Sequence, residues 1–239
     1  MCAETLADCF TRDQRSDRPV LEDPTGRTYD AHWVRTTAWK AGNFLRHTGV
    51  RRGVTVGVVG SGPLAVLAFY GTALLEGTTR FHPPVDAEYD TSFRTLVAPC
   101  DDLEAYTLPA SAQRVGYGAK PSDPSVHHFE AGLWSENPSF PPVEIDPETA
   151  LLTDGERTIS HGRAIEVATN LVDRWGLETG DRVRIDGPLS DPRTAVAGLI
   201  APLLVDAVVV LPGGDSSRSA AGDALVLDPT TLEAVDLGN

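Results

Sequence analysis

A serine and a histidine stand side by side in the segment LLTDGERTISHGRAI, residues 151–165, shortly after an Asp-Gly turn. A serine next to a basic histidine can act as an activated nucleophile, provided that the two side chains face each other. Adjacent residues on a helix do not face each other. Ser160 and His161 are therefore not predicted to be a catalytic pair, and we assign no catalytic residue.

The turn before this helix is short and acidic. Asp154-Gly155 between two apolar runs is a strong signal for a hairpin. A phosphate cradle needs several successive backbone N–H groups turned inward with a cation beside them. A tight hairpin directs these groups into the strand ladder instead, and Asp154 and Glu156 would repel phosphates at close range. We predict an ordinary hairpin at this position.

A second candidate site is Gly60-Ser61-Gly62, between a predicted strand and a predicted helix. Helix N-termini bind anions, so this turn could hold one. Position 65 is Ala65, so the third glycine of a dinucleotide fingerprint is missing, and we favour a tight βα turn. The alternative is a small acid or phosphate that meets both this helix start and the one after DGPLSDP, residues 186–192, if the two lie side by side.

No metal site is predicted. His127-His128 has no cysteine or carboxylate at ligand spacing, and we interpret it as a solvated pair next to an edge strand. The cysteines are odd in number and without metal-type spacing, which indicates reduced thiols. Five arginines of the second half are interpreted as partners of surface carboxylates rather than as an anion patch. They are Arg157, Arg163, Arg182, Arg184 and Arg193.

The charge balance excludes one class of partner. The chain has 34 acidic and 20 basic residues, and its only lysines are Lys40 and Lys120. A net charge of −14 opposes binding to nucleic acid, which depends on neutralising phosphates. An acidic, lysine-poor surface is typical of a salt-rich cytosol, where ions screen self-repulsion. We expect a halophilic source, with an acidic protein from a GC-rich genome as the alternative.

The distribution of apolar residues indicates a location in the cytoplasm. The longest apolar run, residues 64–75, is shorter than the ~20 residues that a membrane-spanning helix needs. The N-terminus carries Glu4 and Asp8 instead of a basic start, so no signal peptide is recognised. We therefore expect a soluble cytoplasmic protein, in a high-salt cytosol, without a membrane as partner.

Two stretches of the chain repeat one order of predicted elements. Residues 26–84 and 156–212 each show a helix cap, an amphipathic helix stopped by glycine, a strand, an apolar helix and a strand ending in proline. We interpret this as an internal duplication. It predicts an α/β fold of two related β-α-β units with parallel or mixed sheets flanked by helices.

The predicted division of the chain follows from this repeat. Residues 1–145 form the first unit with a linker, and residues 146–239 form the second unit with a polar C-terminal tail, or the two make one compact domain. Weaker strand signals occur at LEAYTL (103–108), QRVGYG (113–118) and ALVL (224–227).

The phrases GRTYD, AGNFLRHTGVRRGVTVGVV, ISHGRAI and GLETGDRV, in this order, resemble the acyl-adenylate-forming superfamily. Its members include acyl-CoA synthetases, adenylation domains of peptide synthetases and luciferases. The resemblance covers roughly residues 5–212 and corresponds to the first half of the family's large N-terminal domain. It implies an enzyme that joins a carboxylate to AMP and passes the acyl group to a thiol, with ATP and magnesium.

The sequence departs from the family at its catalytic motifs. A loop of the form T-S-G-T-T-G-x-P-K-G should lie between Thr153 and Ser160, where this chain has only six residues. There is no aromatic-x-T-E motif and no lysine after Lys120. The residues at the degenerate nucleotide position carry over by position and not by catalytic role. They are Thr153, Asp154, Gly155, Ser160 and His161.

We therefore expect a truncated, non-catalytic relative of acyl-CoA synthetases that acts as a binding or interaction module without a cofactor. It would form a homodimer or bind a protein partner across surface that the missing half of the domain normally covers. One alternative is a subunit of a split AMP-forming acid–thiol ligase, with the ATP and magnesium motifs on another chain. A second alternative is an acyl or nucleotide sensor without turnover.

Overall fold

The computed structural model describes residues 3–14, 16–86, 93–139, 141, 143–213 and 224–238. They form an α/β fold with two mixed sheets of five and seven strands, which confirms the predicted fold class. The strands are β1 (Pro19–Glu22), β2 (Thr28–Asp30), β3 (Thr55–Val58), β4 (Thr78–Phe81), β5 (Phe93–Pro99), β6 (Gln113–Tyr117), β7 (His127–His128), β8 (Ala150–Thr153), β9 (Thr158–Ser160), β10 (Arg182–Ile185), β11 (Val208–Val210) and β12 (Ala224–Leu227).

The helices begin and end where the sequence places caps. Asp30 accepts the Trp33 N–H at 2.6 Å at the start of the first helix, and Gly176, with φ +61°, ends the fourth. In the described part of the chain, no helix has the length and apolar character needed to cross a bilayer. The helices are α1 (Ala31–His47), α2 (Pro63–Ala73), α3 (Phe129–Ser135), α4 (His161–Trp175), α5 (Pro192–Ala195), α6 (Ala201–Val205) and α7 (Pro229–Glu233).

The two sheets share one strand order. The five-stranded sheet runs β12-β10-β11-β1-β2, and the seven-stranded sheet runs β7-β6-β5-β3-β4-β8-β9. The last five strands of the larger sheet match the smaller sheet position by position. The stretches that resemble each other in sequence therefore occupy equivalent places, while their origin by duplication stays a prediction.

Each sheet receives its hairpin from the other half of the chain. Strand β1 pairs in parallel with β11, with Leu21 opposite Val209. Strand β4 pairs in parallel with β8, with Thr79 opposite Leu152. Hairpin β1–β2 thus completes the sheet of the second half, and hairpin β8–β9 completes that of the first. The domain division at residue 145 stays a prediction, and the two halves are interleaved in space.

Two elements differ from the sequence expectations. The segment LEAYTL is not a strand, because Cys100–Ala105 forms a 3-10 turn that buries Leu103 and exposes its acidic neighbours; the other two weak signals are strands β6 and β12. The apolar helix of the second half is interrupted by a π-helical turn, Val196–Ile200. Pro202 lacks an N–H and cannot continue a regular helix, and the Leu199 carbonyl accepts the Tyr70 hydroxyl at 2.9 Å.

A fully buried arginine joins the N-terminal segment to both halves. Arg35 on α1 is 2% exposed. Its Nε donates to the Cys9 carbonyl and its Nη1 to the Gln14 carbonyl, both at 2.8 Å. Its Nη2 pairs with Asp206, which follows α6, at 2.8 Å. One guanidinium therefore fixes three segments that are distant in sequence.

Arg35→Leu is expected to lower the free energy of unfolding by about 3 kcal/mol, because two carbonyls and a carboxylate lose a buried partner. Urea unfolding followed by circular dichroism measures this change. The matched control is Arg184→Leu, which removes a surface pair with Asp186 and should change stability by less than about 1 kcal/mol. Equal effects of the two variants would show that Arg35 is not an anchor.

Candidate functional site

The turn between β8 and β9 uses its own backbone donors. The Asp154 N–H donates to the Arg157 carbonyl at 3.3 Å, and the Gly155 N–H donates to Oγ1 of Thr153 at 3.0 Å. The N–H groups of Glu156 and Arg157 both donate to Asp154 Oδ1, at 2.9 and 2.7 Å. The four donors of the turn are thus directed inward to the turn itself, and the predicted hairpin is confirmed.

Asp154 places a negative charge at the centre of this turn. Burial raises the pKa of its carboxyl group, but the two backbone N–H donors and the adjacent Arg157 outweigh burial and hold the pKa below its usual value. Arg157 Nε lies 3.4 Å from the Asp154 carboxylate. The turn at which the resemblance implies a phosphate loop therefore contains an ionised carboxylate.

The turn between β1 and β2 is also centred on an aspartate. The Asp23 N–H donates to the Arg27 carbonyl at 2.9 Å, and the Arg27 N–H donates to Asp23 Oδ1 at 3.2 Å. Each turn also contains a glycine with positive φ, Gly26 at +84° and Gly155 at +99°. The two hairpins thus share their aspartate-to-arginine bonds and their position in the sheet, although the first turn is one residue longer.

A cation that the sequence did not reveal lies beside the second turn. The guanidinium of Arg80, on β4, lies against Gly155, where an added Cβ would overlap it. Strands β4 and β8 are neighbours in the sheet although they are far apart in the sequence. Sequence reasoning missed Arg80 because nothing local indicates that pairing.

Ser160 and His161 have structural contacts. Ser160 Oγ accepts the Arg163 N–H at 3.3 Å and caps α4. His161 is fully buried, and its Nδ1 accepts the Leu6 N–H at 3.2 Å. Its Nε2 has no hydrogen-bond partner within the described ranges. Burial lowers the pKa of His161 to about 4, so the ring is neutral near pH 7 and holds the N-terminal segment.

Gly60-Ser61-Gly62 forms a tight βα turn under a tyrosine. The Tyr117 hydroxyl donates to the Val59 carbonyl at 2.6 Å. An added Cβ on Gly60, which has φ +96°, would overlap that hydroxyl. Burial raises the pKa of Tyr117, which keeps the hydroxyl a donor. The close approach of Tyr117 explains the glycine without a ligand.

The second helix start named in the anion hypothesis already has a carboxylate. Asp191 accepts the Arg193 N–H at 2.9 Å at the first turn of α5 and pairs with its guanidinium at 2.7 Å. Helix α2 follows β3 of the larger sheet, whereas α5 follows β10 of the smaller one. An anion shared by the two helix starts stays a prediction and would have to accommodate Asp191.

The remaining candidates are surface groups. His127 and His128 form the edge strand β7. His127 lies 3.2 Å from the Gln113 side chain, and His128 lies 3.4 Å from the Glu130 side chain. Within the described ranges, no group of three or more His, Cys, Asp or Glu residues could hold a metal. The five arginines singled out in the second half all pair with carboxylates, as predicted. The pairs are Arg157–Asp154, Arg163–Glu166, Arg182–Glu22, Arg184–Asp186 and Arg193–Asp191.

Solved structures with a similar fold include acyl-CoA and aryl-CoA ligases. The anthranilate CoA ligase AuaEII in complex with anthranoyl-AMP has a TM-score of 0.76 at 20% identity, covering 91% of this chain and 46% of its own. The N-terminal domain of FACL13 from Mycobacterium tuberculosis has a TM-score of 0.73 at 12% identity, covering 87% and 57%. A benzoate CoA ligase from Burkholderia xenovorans LB400 has a TM-score of 0.72 at 18% identity, covering 87% of this chain and 45% of its own.

These similarities establish the fold. No protein-family model matches the sequence, and no curated protein matches it. The chain spans about half the length of the three solved chains. The resemblance to acyl-CoA synthetases is thus confirmed as an α/β fold of the kind found in their N-terminal domain.

The buried His161 should make stability depend on pH. Its folded pKa of about 4 lies below the ordinary value of 6.5, so the unfolded chain takes up the proton first as the pH falls. The stability that the neutral His161 contributes is present above pH 6.5 and is lost as the pH falls toward 4. Between pH 7 and pH 5, protonation of His161 in the unfolded chain should lower the free energy of unfolding by about 2 kcal/mol.

Urea unfolding at several pH values between 7 and 5 measures this loss. His161→Gln should remove most of the pH dependence in that window, because glutamine does not titrate. The exposed His47 provides the control, since His47→Gln should leave the dependence in place. A wild-type slope that survives in His161→Gln would contradict the assignment.

Proposed function

We propose that this chain is a non-catalytic binding or interaction module with the fold of acyl-CoA synthetases. One observation supports the proposal above the others: the four backbone N–H groups of residues 154–157 are all donated within the β8–β9 turn. A phosphate group at this turn would have to displace those bonds. It would also meet the ionised Asp154 at close range.

The chemistry left without this loop is binding rather than adenylation. In-line attack on the α-phosphate of ATP requires the triphosphate to be held and its charge neutralised. Arg80 is the cation beside the turn, and its guanidinium lies against Gly155. The backbone donors of the turn are engaged within it, and we assign no step of acyl transfer to this chain.

The interaction surface is polar in the described part of the chain. Its only exposed large hydrophobic side chains are Val85 and Trp134. A homodimer or protein partner would therefore use charged and polar contacts, consistent with the excess of acidic residues.

A sensor for an acyl or nucleotide compound is the second candidate. The similar ligase AuaEII was solved with anthranoyl-AMP, so a chain of this fold can accommodate an acyl adenylate. A sensor would recognise the acyl group or the AMP moiety without the triphosphate. It would be stabilised by such a ligand and would show no turnover.

The proposal is tested by thermal unfolding in molar KCl with magnesium-ATP, AMP or a series of acyl-CoAs. A ligand at one hundred times its dissociation constant adds about 2.7 kcal/mol of stability, which gives a clear shift of the midpoint. We expect no shift with magnesium-ATP. A shift with AMP or an acyl-CoA alone identifies the sensor.

The Arg80→Gln variant tests whether any stabilisation by ATP comes from binding at the β8–β9 turn. A rise in the midpoint with magnesium-ATP that disappears in Arg80→Gln would place phosphates at the β8–β9 turn and refute the proposal. Magnesium chloride at equal ionic strength provides the control for a salt effect.

A further inference from the structure

A polar pocket of about 420 Å³ lies at the amino edge of the seven-stranded sheet. We call it the amino-edge pocket. Its lining includes His47, the last residue of α1, and Gly49 and Arg51, which follow this helix. It also includes Arg94, Ser111 and Gln113, which lie at the starts of β5 and β6. Strands β3, β4, β5, β6 and β8 are parallel neighbours, so the pocket lies at the opposite edge from the β8–β9 turn.

The lining is basic in an acidic chain. It contains two arginines and a histidine and no carboxylate, although the chain as a whole has a net charge of −14. Within the described ranges Arg51 and Arg94 have no ion pair, unlike the five paired arginines named above for the second half. The local field in the pocket therefore favours an anion.

Arg94 is held in place but incompletely bonded. Its side chain crosses Gly49, where an added Cβ would lie 3.3 Å from Arg94 Cδ. Its Nη1 donates to the Ser111 carbonyl at a long 3.4 Å. Its Nε is buried and has no hydrogen-bond partner among the described residues. A buried donor without an acceptor carries a free-energy cost. Because Nε itself is covered, the part of the guanidinium that a ligand can meet is its outer end, where the long Nη1 bond to Ser111 is exposed.

Two groups beside the pocket act against an anion, so the two guanidinium groups have to outweigh them. The carboxylate of Glu136 lies 3.4 Å from the His47 ring and offsets part of the positive charge of the lining. The carbonyl end of α1 is partially negative, although Thr48 Oγ1 donates to the Leu45 carbonyl there. A single weak acceptor would compete poorly with these groups. A phosphate can engage two guanidinium groups at once through separate oxygens.

We propose that the amino-edge pocket binds the phosphate group of a small phosphate monoester. Arg94 and Arg51 would donate to the phosphate oxygens, and Ser111 and Gln113 would lie beside the remainder of the molecule. The polar side chains of Ser111 and Gln113 beside the arginines favour an ester over inorganic phosphate alone. This site is separate from the β8–β9 turn, so it does not depend on the proposed function.

The test is calorimetric titration with glycerol 3-phosphate and with inorganic phosphate, at an ionic strength held constant with KCl. We expect saturable binding of glycerol 3-phosphate and weaker binding of inorganic phosphate. Arg94→Gln and Arg51→Gln should each weaken the binding at least about tenfold, because each loses a charge-assisted hydrogen bond. Arg51 is exposed, so its variant tests the site even if Arg94→Gln unfolds.

The matched control is Arg52→Gln, which removes the same charge from the same loop. Arg52 pairs with Glu76 at 3.7 Å and does not line the pocket, so binding should stay within about twofold of wild type. Equal losses in the Arg51 and Arg52 variants would overturn the site as a general charge effect. Absence of saturable binding would also overturn it, and equal affinity for inorganic phosphate would exclude the ester.

Discussion

The exchange of hairpins between the two halves is the constraint on which the rest of the structure depends. A two-stranded hairpin is marginal by itself and gains stability when it joins a larger sheet. Here β1–β2 joins the strands of the second half, and β8–β9 joins those of the first. Neither half completes its sheet alone. The turn of each hairpin therefore fixes a strand register that both halves require. The aspartates of these turns are explained by this structural role.

An asymmetric segment locks this nearly symmetric arrangement. Residues 6–14 contact equivalent helices of the two halves, through Arg35 and Trp39 on α1 and through His161 on α4. The first residue of α1 is Ala31, whereas the first residue of α4 is His161. The histidine of the second half thus supplies the acceptor for this segment, which explains its burial without reference to a ligand.

Local signals in the sequence were sufficient to predict the helices and strands. They were insufficient to predict which strands pair with each other. Asp30, Ser160 and the Asp-Gly turn act within a few residues, so their caps and hairpin could be predicted. Pro202 also gave a local signal for the break in the apolar helix, which was not used. The position of Arg80 over Gly155 follows only from the β4–β8 pairing, and short strands carry little information about their neighbours.

The polar groups that lack a hydrogen-bond partner indicate where a ligand should be sought. At the β8–β9 turn each backbone donor has a partner, and the aspartate-to-arginine bonds recur at the β1–β2 turn, where the resemblance implies no nucleotide. Structure alone accounts for both turns. Arg94 differs, because its buried Nε has no acceptor among the described residues, and a second arginine, Arg51, lines the same pocket. Within the described ranges neither arginine has the carboxylate partner that Arg182 and Arg184 have. The amino-edge pocket is therefore a place where the described structure leaves positive charge without a paired carboxylate.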